Sequence, residues 1–199
     1  MYREKVVPEV VLVDIIWPGA GLWRSITLIL AGSWLVAFLA QVQIPVGPVP
    51  MTGQTLGVLL IGVLLGSRKG AASMLMYLAQ GAAGLPFFSA GGGALRLLGP
   101  TGGYLAGFML AAFLVGTLSE RGWDHQAWKT ALAMVIGNLA IYICGLLWLA
   151  RFIPVESLLR VGLLPFLLGD AFKIGLSMLL LPSAWHLING RIPKKFDKY

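Results

Sequence analysis

The chain has 199 residues, of which 58% are hydrophobic, and its mean hydropathy is +0.84. Charged residues make up only 12%, against about 25% in a typical soluble domain. That balance excludes an ordinary water-soluble globule and points to one compact, polytopic membrane domain. The +7 net charge is no nucleic-acid footprint, because the basic residues are spread over short loops and the tail.

Residues 1–24 mix Arg3, Glu4, Lys5, Glu9 and Asp14 with short apolar runs. Asp14 interrupts the apolar part and a full span follows at once, which does not fit a signal peptide. An interfacial segment anchored by Trp17 and Trp23 is expected instead. The first span is expected over Ser25 to Ile44. Pro45, Pro48 and Pro50 then exclude a regular helix from the uncharged connection that follows. A second span over Thr52 to Gly66 ends at Arg68 and Lys69, and a third runs from Gly70 to Leu85. At about 1.5 Å per residue both barely cross a hydrocarbon core of about 30 Å. Helices this short predict irregular backbone nearby, lining a cavity or packed on protein.

A glycine loop, Phe87 to Gly99, carries Arg96 as its only charge. Pro100-Thr101-Gly102-Gly103-Tyr104 opens the fourth span, which ends near Ser119. Proline suits a first helical turn, where its missing N–H would have no partner anyway. The fifth span covers Ala127 to Leu149 and carries Asn138. The sixth covers Val161 to Leu187, and residues 189–199 form a basic tail. The expected fold is an all-α integral membrane bundle of six transmembrane helices over residues 25–188. Six spans leave both termini on one side. Loops and termini on that side hold eleven Lys and Arg residues, against three (Arg96, Arg151, Arg160) on the other. The excess places both termini in the cytoplasm.

The sixth span carries Asp170 and Lys173 near its middle, where each charge costs about 2.5–3.5 kcal/mol on an insertion scale. A three-residue spacing puts both on one helical face, with Cβ atoms about 5–6 Å apart. The pair reads either as a ligand site, with a carboxylate accepting N–H bonds and an ammonium donating, or as an ion pair that only locks packing. The Thr101–Tyr104 turn reads as a helix start offering open amides to a polar group, or as glycines placed for close packing. Asn138, and Gln54 with Thr55, read as ligand contacts or as interhelical hydrogen bonds. Arg96 reads as a solvated loop residue or as a carboxylate clamp.

Several chemistries find no support. Gly66-Ser-Arg-Lys-Gly70 lacks the spacing of a phosphate-binding loop. There is no Gly-x-Ser-x-Gly elbow. His125 and His186 stand far apart, so no metal site is expected, and Cys144 has no partner in the chain. No cofactor or catalytic residue is implied. An intramembrane enzyme using Asp170 and Lys173 as acid and base remains an alternative, as does a purely structural subunit.

The runs Gln43-Ile-Pro45-x-x-Pro48-Val-Pro50-x-Thr52-x-Gln54-Thr55, Gly84-Leu-Pro86-Phe, Gly91-Gly-Gly, Leu98-Gly-Pro-Thr-Gly-Gly-Tyr104 and Gly169-Asp170-x-x-Lys173 together resemble the BioY family. These are biotin-binding S components of energy-coupling-factor (ECF) vitamin transporters. The resemblance covers nearly all of residues 25 to 190. It implies a six-helix bundle in the cytoplasmic membrane, a vitamin pocket near the outer face, and a lid made by the loop after the third span. It implies biotin as ligand, with a membrane coupling subunit and two cytoplasmic ATPases as partners. Asp170 and Lys173 would hold the ureido head. Asn138, Gln54 and Thr101, Gly102, Gly103 and Tyr104 would complete the site, and Arg96 would suit the carboxylate. Trp and Tyr side chains are expected over the thiophane ring. Another small vitamin is the alternative ligand. Ser33-x-x-x-Ala37 approximates the small-residue stripe on which such proteins dock their coupling subunit.

Overall fold

The structure, a computed structural model, describes residues 10–89 and 91–189. Residues 1–9 of the expected interfacial segment and 190–199 of the tail lie outside the described residues. The elements in order are α1 (Leu12–Ile16), α2 (Leu22–Ala40), β1 (Gln43–Ile44), β2 (Met51–Thr52), α3 (Gln54–Ala82), α4 (Leu95–Leu98), α5 (Gly102–Ser119), a 3₁₀ turn (Trp123–His125), α6 (Ala127–Leu149), α7 (Val155–Gly162) and α8 (Leu164–Asn189). Five helical stretches among the described residues are long and apolar enough to cross a membrane: Leu22–Ala40, Gln54–Ala82, Gly102–Ser119, Ala127–Leu149 and Val155–Ile188.

The stretch α3 is two helices joined at a break rather than one continuous helix. Gly66 has φ 80° and ψ 178°, a conformation closed to most side chains. Gln54 and Tyr77 lie 23 residues apart yet share a side-chain hydrogen bond. On a straight helix they would stand about 34 Å apart, at about 1.5 Å per residue. A Cβ on Gly70 would lie 3.0 Å from Gly62 Cα. The chain therefore reverses at Gly66, and the two halves of α3 run side by side. The break falls where the sequence reading ends its second span. The Glu120 carboxylate, just past α5, accepts from the Ser67 amide at 2.7 Å and from the Ser67 hydroxyl at 2.9 Å. It thus caps the helix start that the turn exposes.

Several expected boundaries move by a few residues, and two of these shifts have a plain physical reason. The first span, α2, stops at Ala40 rather than Ile44, because Ile44 precedes Pro45 and is pushed towards extended backbone. Gln43 and Ile44 instead pair antiparallel with Thr52 and Met51, closing the proline connection into a small hairpin. The sixth span is preceded by a separate helix, α7, and Leu163 (φ −132°, ψ −59°) divides it from α8. Pro165 then sits in the first turn of α8, where it is tolerated.

The α3 hairpin occupies the middle of the bundle, with α5 and α2 packed on it and α6 joining α5 to α8. Val36, Val58, Met74, Tyr77, Ala111 and Val115 are fully buried there. Large apolar side chains on the outside, such as Trp34, Phe38, Leu147, Leu168 and Phe172, suit a lipid environment. Ser33 and Ala37 are buried, and the Ser33 hydroxyl donates to Gln80 on α3 at 3.0 Å. The expectation that this pair forms an external docking stripe is thereby corrected: it packs α2 onto α3. Val11 and Leu12 also enter the bundle, and Asp14 pairs with Arg24 at 2.9 Å and Lys69 at 3.5 Å.

Candidate functional site

A cavity of about 410 Å³ opens among the β1–β2 hairpin, the loop after α3, and the facing ends of α3, α5, α6 and α8. That volume lies within the range of about 300–1,000 Å³ common for small-molecule sites. Phe166, Asp170 and Lys173 reach it from α8 at positions i, i+4 and i+7, which is one helical face. Phe108 and Tyr104 come from α5, and Ile141 and Tyr142 from α6. Phe88 and Arg96 come from the loop.

The polar heart of the cavity is Asp170, 4% exposed. Its Oδ1 faces Lys173 Nζ at 3.3 Å, and its Oδ2 accepts the hydroxyl proton of Tyr142. Lys173 also donates to the carbonyl oxygen of Thr52 at 2.9 Å and to Thr55 Oγ1 at 2.7 Å. A buried charge is tolerable only when paired and hydrogen-bonded, and each member of this pair has such partners. The arrangement presents one strong acceptor group and one strong donor group to a cavity whose walls combine aromatic rings and prolines with polar side chains such as Gln43, Thr55, Ser89 and Thr101. Chemically it suits a small solute with an apolar body and a compact head that both gives and takes hydrogen bonds.

Gln54 lines the cavity, but its side chain is engaged inside the protein. Its Oε1 accepts from the Thr52 hydroxyl at 2.9 Å, and its amide nitrogen donates to Tyr77. Tyr77 in turn donates to the Phe87 carbonyl at 3.2 Å, which ties the loop to α3. Thr101 and Tyr104 line the cavity, and the Tyr104 hydroxyl donates to the Gly162 carbonyl at 2.8 Å. Arg96 lines it from α4.

Three expected residues stand elsewhere. Gly102 and Gly103 do not line the cavity. A Cβ on Gly102 would lie 1.8 Å from the Leu97 carbonyl oxygen, and one on Gly103 would lie 2.3 Å from Trp148 Cβ. The Gly102 amide already donates to the Gly99 carbonyl at 3.0 Å. The glycines serve close packing of α5 against the loop and α6, which corrects the open-amide expectation. Asn138 is buried outside the cavity lining, and its Oδ1 has no hydrogen-bond partner among the described residues. One turn further along α6, Tyr142 reaches the cavity in its place. Among the described residues no tryptophan lines the cavity. Trp148 instead donates to the Gly99 carbonyl at 2.9 Å from behind the loop. The sequence reading missed Tyr142, Phe166, Phe108 and the proline hairpin as cavity walls. A tyrosine one turn from Asn138 in an apolar span was the available signal for the first.

The family model described as the BioY family matches residues 11–190. A probable biotin transporter BioY of Pyrococcus horikoshii is 35% identical over 158 residues, covering 79% of this chain and 93% of its own. The biotin transporter BioY of Thermotoga maritima is 38% identical over 163 residues, covering 81% and 90%. Among solved structures, the S-component for biotin from an ECF-type ABC transporter superposes with a TM-score of 0.72 at 28% identity, covering 82% of this chain and 92% of that one. The match runs through the hairpin, the loop and α8, the segments that enclose the cavity, and the chain belongs to the BioY family.

Proposed function

We propose that the chain captures biotin and, as the S component of an ECF-type transporter, serves its uptake across the cytoplasmic membrane. The carrying observation is the buried Asp170–Lys173 pair facing a cavity that also has aromatic walls. A ureido ring offers two N–H donors and one C=O acceptor, which match one carboxylate and one ammonium. The fused apolar ring would lie among Tyr104, Phe108, Tyr142 and Phe166. Thr101 and Gln54 would border the site, and Arg96 would receive the valerate carboxylate as a charge-assisted partner. Asn138, Gly102 and Gly103 would support the site through packing. The names of the similar proteins support this ligand.

In this reading residues 25–188 form the substrate-binding domain. The two halves of α3 count as separate crossings, giving six, and both termini face the cytoplasm. The eleven-to-three distribution of Lys and Arg supports that orientation. The partners are a membrane coupling subunit and two ATPases, because nothing in the chain resembles a nucleotide-binding loop of its own. The test is uptake of labelled biotin by bacteria lacking their own biotin importer. Accumulation that requires both this chain and a coupling module supports the proposal. Accumulation no greater than in cells without the chain, with the protein present in the membrane, contradicts it.

A further inference from the structure

A lysine ammonium has three hydrogens to give. Here Lys173 gives all three, to Thr52 O at 2.9 Å, Thr55 Oγ1 at 2.7 Å and Asp170 Oδ1 at 3.3 Å. A ligand carbonyl therefore finds no spare hydrogen on Lys173 until one of these bonds opens. The Asp170 contact is the longest of the three, and hydrogen bonds weaken with length. The two Asp170 oxygens are not equivalent. Oδ2 is held by the hydroxyl of Tyr142, whose side chain comes from a different helix and is nearly buried. The Tyr142 ring packs against Tyr104 and Phe166, with centroids 6.5 and 6.4 Å away. Its hydroxyl is thus fixed by packing, and through it the plane of the carboxylate.

We propose that Tyr142 is a positioning residue for the ligand, holding Asp170 by Oδ2 so that Oδ1 is the oxygen passed from Lys173 to the ligand. This rests on the biotin reading above. An N–H beside a C=O, as on one edge of a ureido ring, enters between Oδ1 and Nζ. The N–H donates to Oδ1, and the C=O accepts the hydrogen that Lys173 withdraws from it. One hydrogen bond opens and two form. Without the Tyr142 hydroxyl the carboxylate is free to rotate and to offer both oxygens to Lys173. The ligand must then displace a better-held partner. The site would select heads with adjacent donor and acceptor over simple anions, which have nothing to give Oδ1.

The test is a cycle of biotin affinities for the native chain, Tyr142→Phe, Asp170→Asn and the double variant, titrated to millimolar biotin in detergent. Tyr142→Phe is expected to weaken binding about tenfold or more, in line with loss of a hydrogen bond to a charged group. In the Asp170→Asn background the same change is expected to cost less than about twofold, since the residue acts through Asp170. Equal losses in both backgrounds, or native affinity in Tyr142→Phe, overturn the inference while leaving the biotin reading standing. A native chain that binds no biotin overturns both. A second readout serves where Asp170→Asn leaves no titratable binding. In chain labelled with ¹³C at aspartate carboxyls, the infrared carboxylate band lost in Asp170→Asn is assigned to Asp170. Tyr142→Phe is expected to shift that band in the ligand-free chain, and an unmoved band overturns the inference.

Discussion

Lys173 on α8 donates to the backbone carbonyl of Thr52, 121 residues earlier, at 2.9 Å. The cation of the buried ion pair therefore also fastens the proline hairpin, at the point where β2 leads into α3. Removing it severs that link and leaves Asp170 buried without its counter-charge. Breaking a buried pair by deleting one partner costs about 3–5 kcal/mol. Lys173→Met is expected to lower the melting temperature of the detergent-solubilised chain and to reduce biotin binding by at least about a hundredfold. Thermal unfolding and a ligand titration read both effects.

Glycine substitutions should separate packing positions from open ones. At Gly103 a methyl group would overlap Trp148 Cβ and stand 2.5 Å from the Cys144 carbonyl oxygen. Both lie on α6, so the two helices must part. Gly103→Ala is expected to destabilise by roughly 1–3 kcal/mol, as overpacking does. Gly175, within α8, has nothing within 4 Å of the same position. Gly175→Ala is expected to be neutral or stabilising by up to about 1 kcal/mol. Paired melting curves check the contrast.

Glu120 caps the second half of α3 from outside that helix. Both its oxygens receive the Ser67 hydroxyl, at 2.9 and 3.0 Å, and Oε1 also receives the Ser67 amide. Loss of a helix cap costs about 0.5–2 kcal/mol. Glu120→Ala is expected to fall in that range. Glu120→Gln keeps an acceptor oxygen and is expected to lose less. Amide hydrogen exchange at Ser67 should rise in Glu120→Ala before global stability changes.

A pH effect is expected at the end of the bundle where α5 and α6 are joined. Asp124 is buried in the turn between α5 and α6, and Trp185 Nε1 donates to its Oδ2 at 2.6 Å. Burial pushes its carboxyl above the ordinary carboxylate range, and the Trp185 bond and the nearby His125 offset this only in part. A carboxyl raised by folding contributes stability that is complete below its unfolded value. That contribution is lost as pH rises through the folded one. The native chain should therefore lose melting temperature across that window relative to Asp124→Asn, whose amide does not titrate. Parallel pH profiles for the two proteins would contradict the assignment.

The sequence carried the charged pair plainly, because charge within a membrane span is rare and costly. The reversal at Gly66 was legible too, from two short apolar runs separated by Ser67, Arg68 and Lys69. The inward face of α2 was not. A helix with lipid on one side and protein on the other is apolar all round, so periodicity does not tell Ser33 and Ala37 from Trp34 and Phe38. Gly102 and Gly103 read equally as open amides or close contacts, and only the positions of the Leu97 carbonyl beside Gly102 and of Trp148 beside Gly103 decide between them. Tyr142 was hidden because a tyrosine in a span reads as one more aromatic residue until its partner Asp170 is brought beside it from α8.

Equilibrium binding of labelled biotin to the purified chain, beside Asp170→Asn, tests the central claim most directly. Tight, saturable binding by the native chain, weakened by at least about a hundredfold in a folded Asp170→Asn variant, is the predicted result. A folded native chain that binds no biotin, or an Asp170→Asn variant that binds it as well as the native chain, would contradict the account.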